Sequence, residues 1–155
     1  MRTPVFFLAP VILLAFAIAA CGSDSEPAAQ AEEPFAPVPR TVDKGDGCTV
    51  EITKNGTGAV ARVGDEVALT YEARVKDAET TFSSTDGWNT PLRVRVGEAG
   101  ILPGLSRGID GLRSGTKARI EIPPALGYGD DGNPSAHVPP NATLIFDVEI
   151  VGVRP

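Results

Sequence analysis

The segment TLIFDVEIVGV, at positions 143–153, constrains the fold more than any other stretch of this 155-residue chain. Leu144, Phe146, Val148 and Ile150 fall on one side of it, and Asp147 and Glu149 on the other. A period of two marks a strand with one dry and one wet face, because successive Cβ atoms point to opposite sides. The alternation recurs in EVALTYEARV, where Val67, Leu69, Tyr71, Ala73 and Val75 share a face. It recurs again in LRVRV, through Leu92, Val94 and Val96, and in KARIEI, through Ala118, Ile120 and Ile122. CTVEIT and a short run ending in Phe82 add briefer strands, with turns rich in Gly and Asp between them. About five such strands make one antiparallel sheet with a single dry face.

That face needs a cover. The candidate is LPGLSRGIDGLRSG, positions 102–115. Pro103 suits a first helical turn, where its missing N–H is no loss. Leu105, Ile109 and Leu112 recur at helical spacing, and Gly115 is placed to end the element. Its glycines make it a weak helix by propensity, so packing must hold it. The expected fold is α+β: a curved antiparallel sheet wrapped on one short helix.

The N-terminus is different material. Arg2 gives a charged start, and the apolar run Val5 to Ala20, with Pro4 before it and Pro10 inside it, is short for a membrane span. Residues 1–20 read as a secretory signal. The ending IAAC, Ile18 to Cys21, resembles the lipobox of bacterial lipoproteins, in which the Cys becomes the first mature residue and carries the lipid. Several acyl chains there would anchor the chain at the cell envelope far more firmly than one. With Gly22 after the Cys, a Gram-negative cell would place it in the outer membrane, facing the periplasm. From Cys21 to Lys44 the composition turns to Ser, Glu, Ala, Pro and Gln, with little to bury, and reads as a disordered tether. The folded domain is expected over 45–155.

Several functions are excluded on composition. The net charge is −6 and Lys and Arg form no cluster, so nucleic acid is not a partner. Past Cys21 the remaining cysteine is Cys48, so no internal disulfide is available; without a neighbouring His or basic cluster it reads as a structural thiol. His137 is the one histidine and has no companions that would make a triad or a metal site, so no metal and no cofactor is expected.

Beyond the periodicities, GYGDDGNPSAHVPPNATLIFDVEI, together with YEARV, TFSST and VGEAGILPGLSRGIDGLRSG, resembles the FKBP-type peptidyl-prolyl isomerases over roughly Gly45 to Val153. The resemblance implies the FKBP-like fold, and catalysis of cis–trans rotation about X–Pro bonds by a monomer. It implies proline-containing polypeptides as partners, with macrolide-type inhibitors of the family as ligands. Carried over residue by residue, it puts the catalytic pocket at Tyr71, Phe82, Leu102, Tyr128 and Phe146. Substrate contacts are implied at Leu92, Ile101, Leu105 and Val138, with Ser83, Trp88 and His137 at the rim. Strand parity agrees, since Tyr71 and Phe146 lie on the apolar faces and a one-residue slip would turn both outward.

The chain departs from the family pattern at four positions. The pocket Asp is Ser83, and the Arg that pairs with that Asp falls at Trp88. The aromatic floor is Leu105, and an aromatic wall is Leu92. One expectation is that Trp88 folds over the vacated site; the other is that it is an exposed loop aromatic. The same departures leave open a proline-peptide binding module or chaperone without useful turnover, as the alternative to an isomerase.

Overall fold

In the computed structural model, which describes residues 37–76, 78, 81–88 and 90–155, every segment with a two-residue period forms a strand. The expected signal segment, Cys21 and the tether as far as residue 36 lie outside the described residues. Among the described residues there are seven strands and one α-helix. The strands are β1 (Arg40–Asp43), β2 (Thr49–Lys54), β3 (Glu66–Val75), β4 (Thr81–Ser84), β5 (Leu92–Arg95), β6 (Lys117–Ile122) and β7 (Leu144–Arg154), and the helix α1 is Pro103–Ile109. All pairings are antiparallel. The strands run β1-β2-β6-β7-β3-β4, with β5 beside the first half of β3. The long central strands β3 and β7 pair from Glu66↔Arg154 to Val75↔Leu144.

The dry face is the core. Val50, Ile52, Leu69, Ile120, Ile122, Leu144 and Ile150 from the sheet pack with Leu105, Ile109 and Leu112. The opposite face is polar and cross-linked by charge. Asp147 accepts from Arg74 at 2.8 Å and from Arg119 at 2.7 Å, and Lys117 meets Glu149 at 3.0 Å. Cys48 is fully buried, and its thiol donates to the Gly104 carbonyl at 3.5 Å. Burial pushes that thiol above its usual pKa, which makes it an inert part of the core.

The helix glycines have a packing reason that propensity alone does not reveal. A Cβ on Gly104 would sit 2.3 Å from Ile122 Cγ2, and one on Gly108 would sit 2.6 Å from Ile120 Cγ2. Glycines one helical turn apart therefore let α1 lie directly on β6.

Three expectations need correction. The helix stops at Ile109, short of Leu112 and Gly115. Residues 110–114 instead give their backbone groups to segment 58–61. The Gly111 N–H donates to the Ala61 carbonyl at 2.8 Å, the Ala61 N–H to Leu112 at 2.8 Å and the Ser114 N–H to Ala59 at 2.9 Å. The tether is ordered earlier than expected: β1 pairs with β2 from Arg40↔Ile52 to Asp43↔Thr49, five residues before the expected domain start at Gly45. Val42 is the half-buried side chain that ties β1 to the core. RTVD was too short to show a period. Finally, β4 continues past Phe82 to Ser84, which matters for the site.

Candidate functional site

Where β3, β4, β5 and β7 meet the start of α1, the dry face is left partly open. The opening is a cavity of about 270 Å³, near the lower edge of the roughly 300–1,000 Å³ typical of ligand sites. Tyr71, Phe82, Ser83, Leu92, Val94, Gly100, Ile101, Leu102, Leu105, Tyr128, Ala136 and Phe146 line it. None of these side chains carries a formal charge at neutral pH.

The strands fix the aromatic walls. Ala73 pairs with Phe146 and Tyr71 with Val148, so Tyr71 and Phe146 are diagonal neighbours on one face, with ring centroids 5.8 Å apart. Phe82 meets Phe146 edge-on at 6.2 Å and Tyr128 edge-on at 6.5 Å. Adjacent strand residues ordinarily face opposite ways, yet Phe82 and Ser83 both line the cavity. A bulge explains it. Ala73 pairs with Ser83 and Arg74 with Thr81, which leaves Phe82 as the extra residue of β4.

A residue that the sequence did not single out holds Tyr71 in place. Thr85 is buried, and its Oγ1 accepts the Tyr71 N–H at 2.8 Å. The Thr85 N–H donates back to the Tyr71 carbonyl at 2.9 Å, and the hydroxyl donates to the same carbonyl at 3.2 Å. Buried Thr next to a Gly-containing loop is the signal that could have revealed it.

Leu102 caps α1: its carbonyl accepts the Ser106 N–H at 3.0 Å, and Pro103 follows it as the first helical residue. The Leu102 N–H itself precedes the helix. Among the described residues, neither that N–H nor the Tyr128 hydroxyl has a hydrogen-bond partner. Two donors are thus available beside an apolar cavity. Ser83 is different, sharing a 2.8 Å hydrogen bond with the Tyr71 hydroxyl.

Nine of the twelve sequence-assigned site residues come together here: Tyr71, Phe82, Ser83, Leu92, Ile101, Leu102, Leu105, Tyr128 and Phe146. Three do not line the cavity. Val138 is 2% exposed and belongs to the core, seated there because Asn133 and Val138 exchange backbone hydrogen bonds of 2.8 and 2.9 Å. His137 is exposed, with the left-handed φ of 56° that ends the turn Pro134–Ala136. Trp88 is 56% exposed, so the expectation that it covers the vacated site is not met. The short turn Thr85–Trp88, closed by a 3.0 Å backbone bond, holds it out in the β4–β5 loop. Val94, Gly100 and Ala136 were missed as lining residues; Val94 shares the inward parity of Leu92, whereas Gly100 and Ala136 gave no signal.

A second depression, of about 300 Å³, lies on the polar face beside Thr70, Glu72, Arg119, Asp147 and Glu149. Two ion pairs already occupy much of it, Lys117 with Glu149 and Arg119 with Asp147. Among the described residues no group of His, Cys, Asp and Glu is placed to hold a metal ion.

The family model for FKBP-type peptidyl-prolyl cis-trans isomerases matches residues 58–151. The chain belongs to that family. The FKBP-type peptidyl-prolyl cis-trans isomerase FkpA of Escherichia coli is 33% identical over 109 residues, which are 70% of this chain and 38% of that protein. The 46 kDa FK506-binding nuclear protein of Spodoptera frugiperda is 35% identical over 108 residues, 70% of this chain and 26% of that protein. The chain thus spans well under half the length of these relatives. Among solved structures, the N-terminal domain of FKBP42 from Arabidopsis thaliana superposes with a TM-score of 0.69 at 28% identity, covering 79% of this chain and 98% of that domain. The sheet wrapped on one short helix is therefore the FKBP-like fold.

Proposed function

We propose that this chain is a peptidyl-prolyl cis–trans isomerase acting on X–Pro bonds of exported proteins. One observation carries the reading: an uncharged cavity walled by Tyr71, Phe82, Tyr128 and Phe146, with the Leu102 N–H and the Tyr128 hydroxyl beside it unpaired among the described residues. An X–Pro bond turns slowly because amide resonance sets a barrier of roughly 18–20 kcal/mol. The planar amide is more polar than the twisted one, so an apolar cavity disfavours the ground state relative to the transition state. Donors that grip the peptide carbonyls supply orientation and further stabilisation. Lowering the barrier by about 3–4 kcal/mol gives a few hundredfold acceleration, with no nucleophile or metal in the scheme. The relatives named as isomerases favour turnover over a pocket that only binds. By the same family likeness, macrolide-type inhibitors are ligands for this cavity. The test is proline-limited refolding of a model protein with the full-length chain in catalytic amount. A slow phase that shortens with added chain is expected; a rate equal to buffer alone refutes the activity.

Localisation at the cell envelope is part of the same proposal. IAAC at 18–21 supports lipidation of Cys21, and the Ser-, Glu- and Pro-containing stretch after it supports a tether between the anchor and a monomeric domain. Cys21→Ser is expected to move the protein from the membrane fraction to the soluble fraction. Unchanged fractionation would refute the anchor.

A further inference from the structure

Strand β5 pairs with β3 alone among the described residues, so its outer edge is open. Leu92 and Val94 turn toward the proline cavity and line it. Arg93 and Arg95, of the opposite parity, turn outward with Glu66 of β3, the register partner of Arg95. They border a groove of about 540 Å³, within the roughly 300–1,000 Å³ of ligand sites. Val94 borders both hollows. A peptide leaving the cavity over the open edge of β5 therefore enters the groove after crossing one strand, roughly 10 Å or about three extended residues. Val63, 70% exposed, walls the groove beside Gly97, where a Cβ would sit 2.9 Å from the valine Cγ1.

Charge decides what the groove can hold. Glu66 is engaged twice, accepting from Arg93 at 2.8 Å and facing Arg154 at 3.8 Å. Asp65 turns back onto the Arg62 N–H at 2.9 Å. Glu98 also borders the groove and has no ion pair among the described residues. Arg95 is exposed, and among the described residues its guanidinium has neither an ion pair nor a hydrogen bond. Three arginines thus stand against two glutamates, a local positive excess in a chain of net charge −6. A guanidinium with no carboxylate of its own, beside an apolar wall, suits an acidic side chain.

We propose that this groove is a second subsite of the proline site, with Arg95 as its specificity-determining residue. It takes the carboxylate of an Asp or Glu about three residues from the bound proline. The proposal rests on the proline-site reading above and deepens it by naming the substrate class: prolyl segments with an acidic residue on one flank. One flank alone is served, because the groove lies to one side of the cavity.

The test uses two series of single-proline peptides with blocked ends, carrying Glu, Gln or Lys either three residues before the proline or three residues after it. Isomerisation by the full-length chain is followed for each, with a dipeptide-sized prolyl substrate alongside. In one series the Glu peptide should show a KM about three- to tenfold below that of the Lys peptide, the sum of one exposed attraction and one exposed repulsion. The difference should shrink in about 0.5 M salt, where the Debye length is about 4 Å. Arg95→Gln should level the series and Arg95→Glu invert it; the first keeps the test open if the second folds poorly. Lys54→Glu makes the same charge change at the end of β2, about four strand spacings or roughly 19 Å away, and should leave the preference intact. Equal KM values throughout, the same preference on both flanks, or a preference that survives Arg95→Gln overturns the proposal. Turnover of the short substrate with no preference among the long ones refutes the subsite alone. Calorimetric binding of the Glu peptide that depends on Arg95, with no turnover of any substrate, refutes the isomerase reading alone.

Discussion

The floor of the cavity and its rim are held by different forces. At the floor, Leu105 is 6% exposed, and the helix that carries it lies against β6 with no side chain between at Gly104 and Gly108. Close packing over that contact leaves little freedom. At the rim, the β4–β5 loop is fixed at its start by the hydrogen bonds of Thr85 to Tyr71, and then runs into solvent with Trp88 exposed. The floor is therefore a packing device, intolerant of added volume. The rim is a hydrogen-bonded device in which side chains can change with little effect on folding. The departures from the family pattern at Ser83 and Trp88 both fall on the rim side.

The sharpest way to break this comparison is to add one methyl group to the floor. In Gly104→Ala the new Cβ would meet Ile122 Cγ2 at 2.3 Å, Cγ1 at 3.1 Å and Cβ at 3.2 Å, so the branched root of the isoleucine must move. Ile122 is fully buried, which blocks an easy escape. Overpacking of this kind costs about 1–3 kcal/mol. It outweighs the gain of up to about 1 kcal/mol that Ala has over Gly inside a helix. In an Ile122→Ala background the contacts to Cγ2 and Cγ1 are gone and only the 3.2 Å Cβ contact remains, so most of the destabilisation should disappear. Urea unfolding of the four proteins of this cycle measures it. A destabilisation that persists unchanged in the Ile122→Ala background would show that the glycine serves some purpose other than close approach.

Much of this floor was visible in the amino-acid order, because burial imposes a period. The faces of β3, β6 and β7, and with them the inward placement of Tyr71 and of Phe146, follow from alternation alone. What escaped was whatever tertiary hydrogen bonding decides. Leu112 keeps helical spacing after Ile109, yet α1 ends before it because segment 58–61 captures the next backbone groups. Val42 in β1 is one apolar residue in a four-residue strand, too little to make a pattern. At the site, the bulge that turns both Phe82 and Ser83 inward is an exception to the two-residue period, so no periodic reading could find it. Val138 was assigned to the pocket by the family resemblance, not by any period of its own. The two Asn133–Val138 hydrogen bonds fold the loop so that it enters the core instead.

Trp88 tests the other side of the comparison, with a smaller expected effect. It is the one tryptophan of the chain and is more than half exposed, so Trp88→Ala removes little buried area. Surface substitutions of this kind change stability by within about 0.5 kcal/mol. For a dipeptide-sized prolyl substrate, kcat/KM should also hold, because Trp88 does not line the cavity. A longer peptide reaches past the rim. There an exposed indole in the loop between Ser83 and Leu92 has apolar area to offer, and its loss should raise KM by a few-fold with kcat unchanged. Intrinsic fluorescence gives a direct check, since Trp88 alone reports: its emission should shift when the longer peptide binds and stay fixed with the short one. If both substrates lose activity equally, Trp88 contributes to the cavity itself, and the division between a packed floor and a permissive rim fails at the residue chosen to represent it.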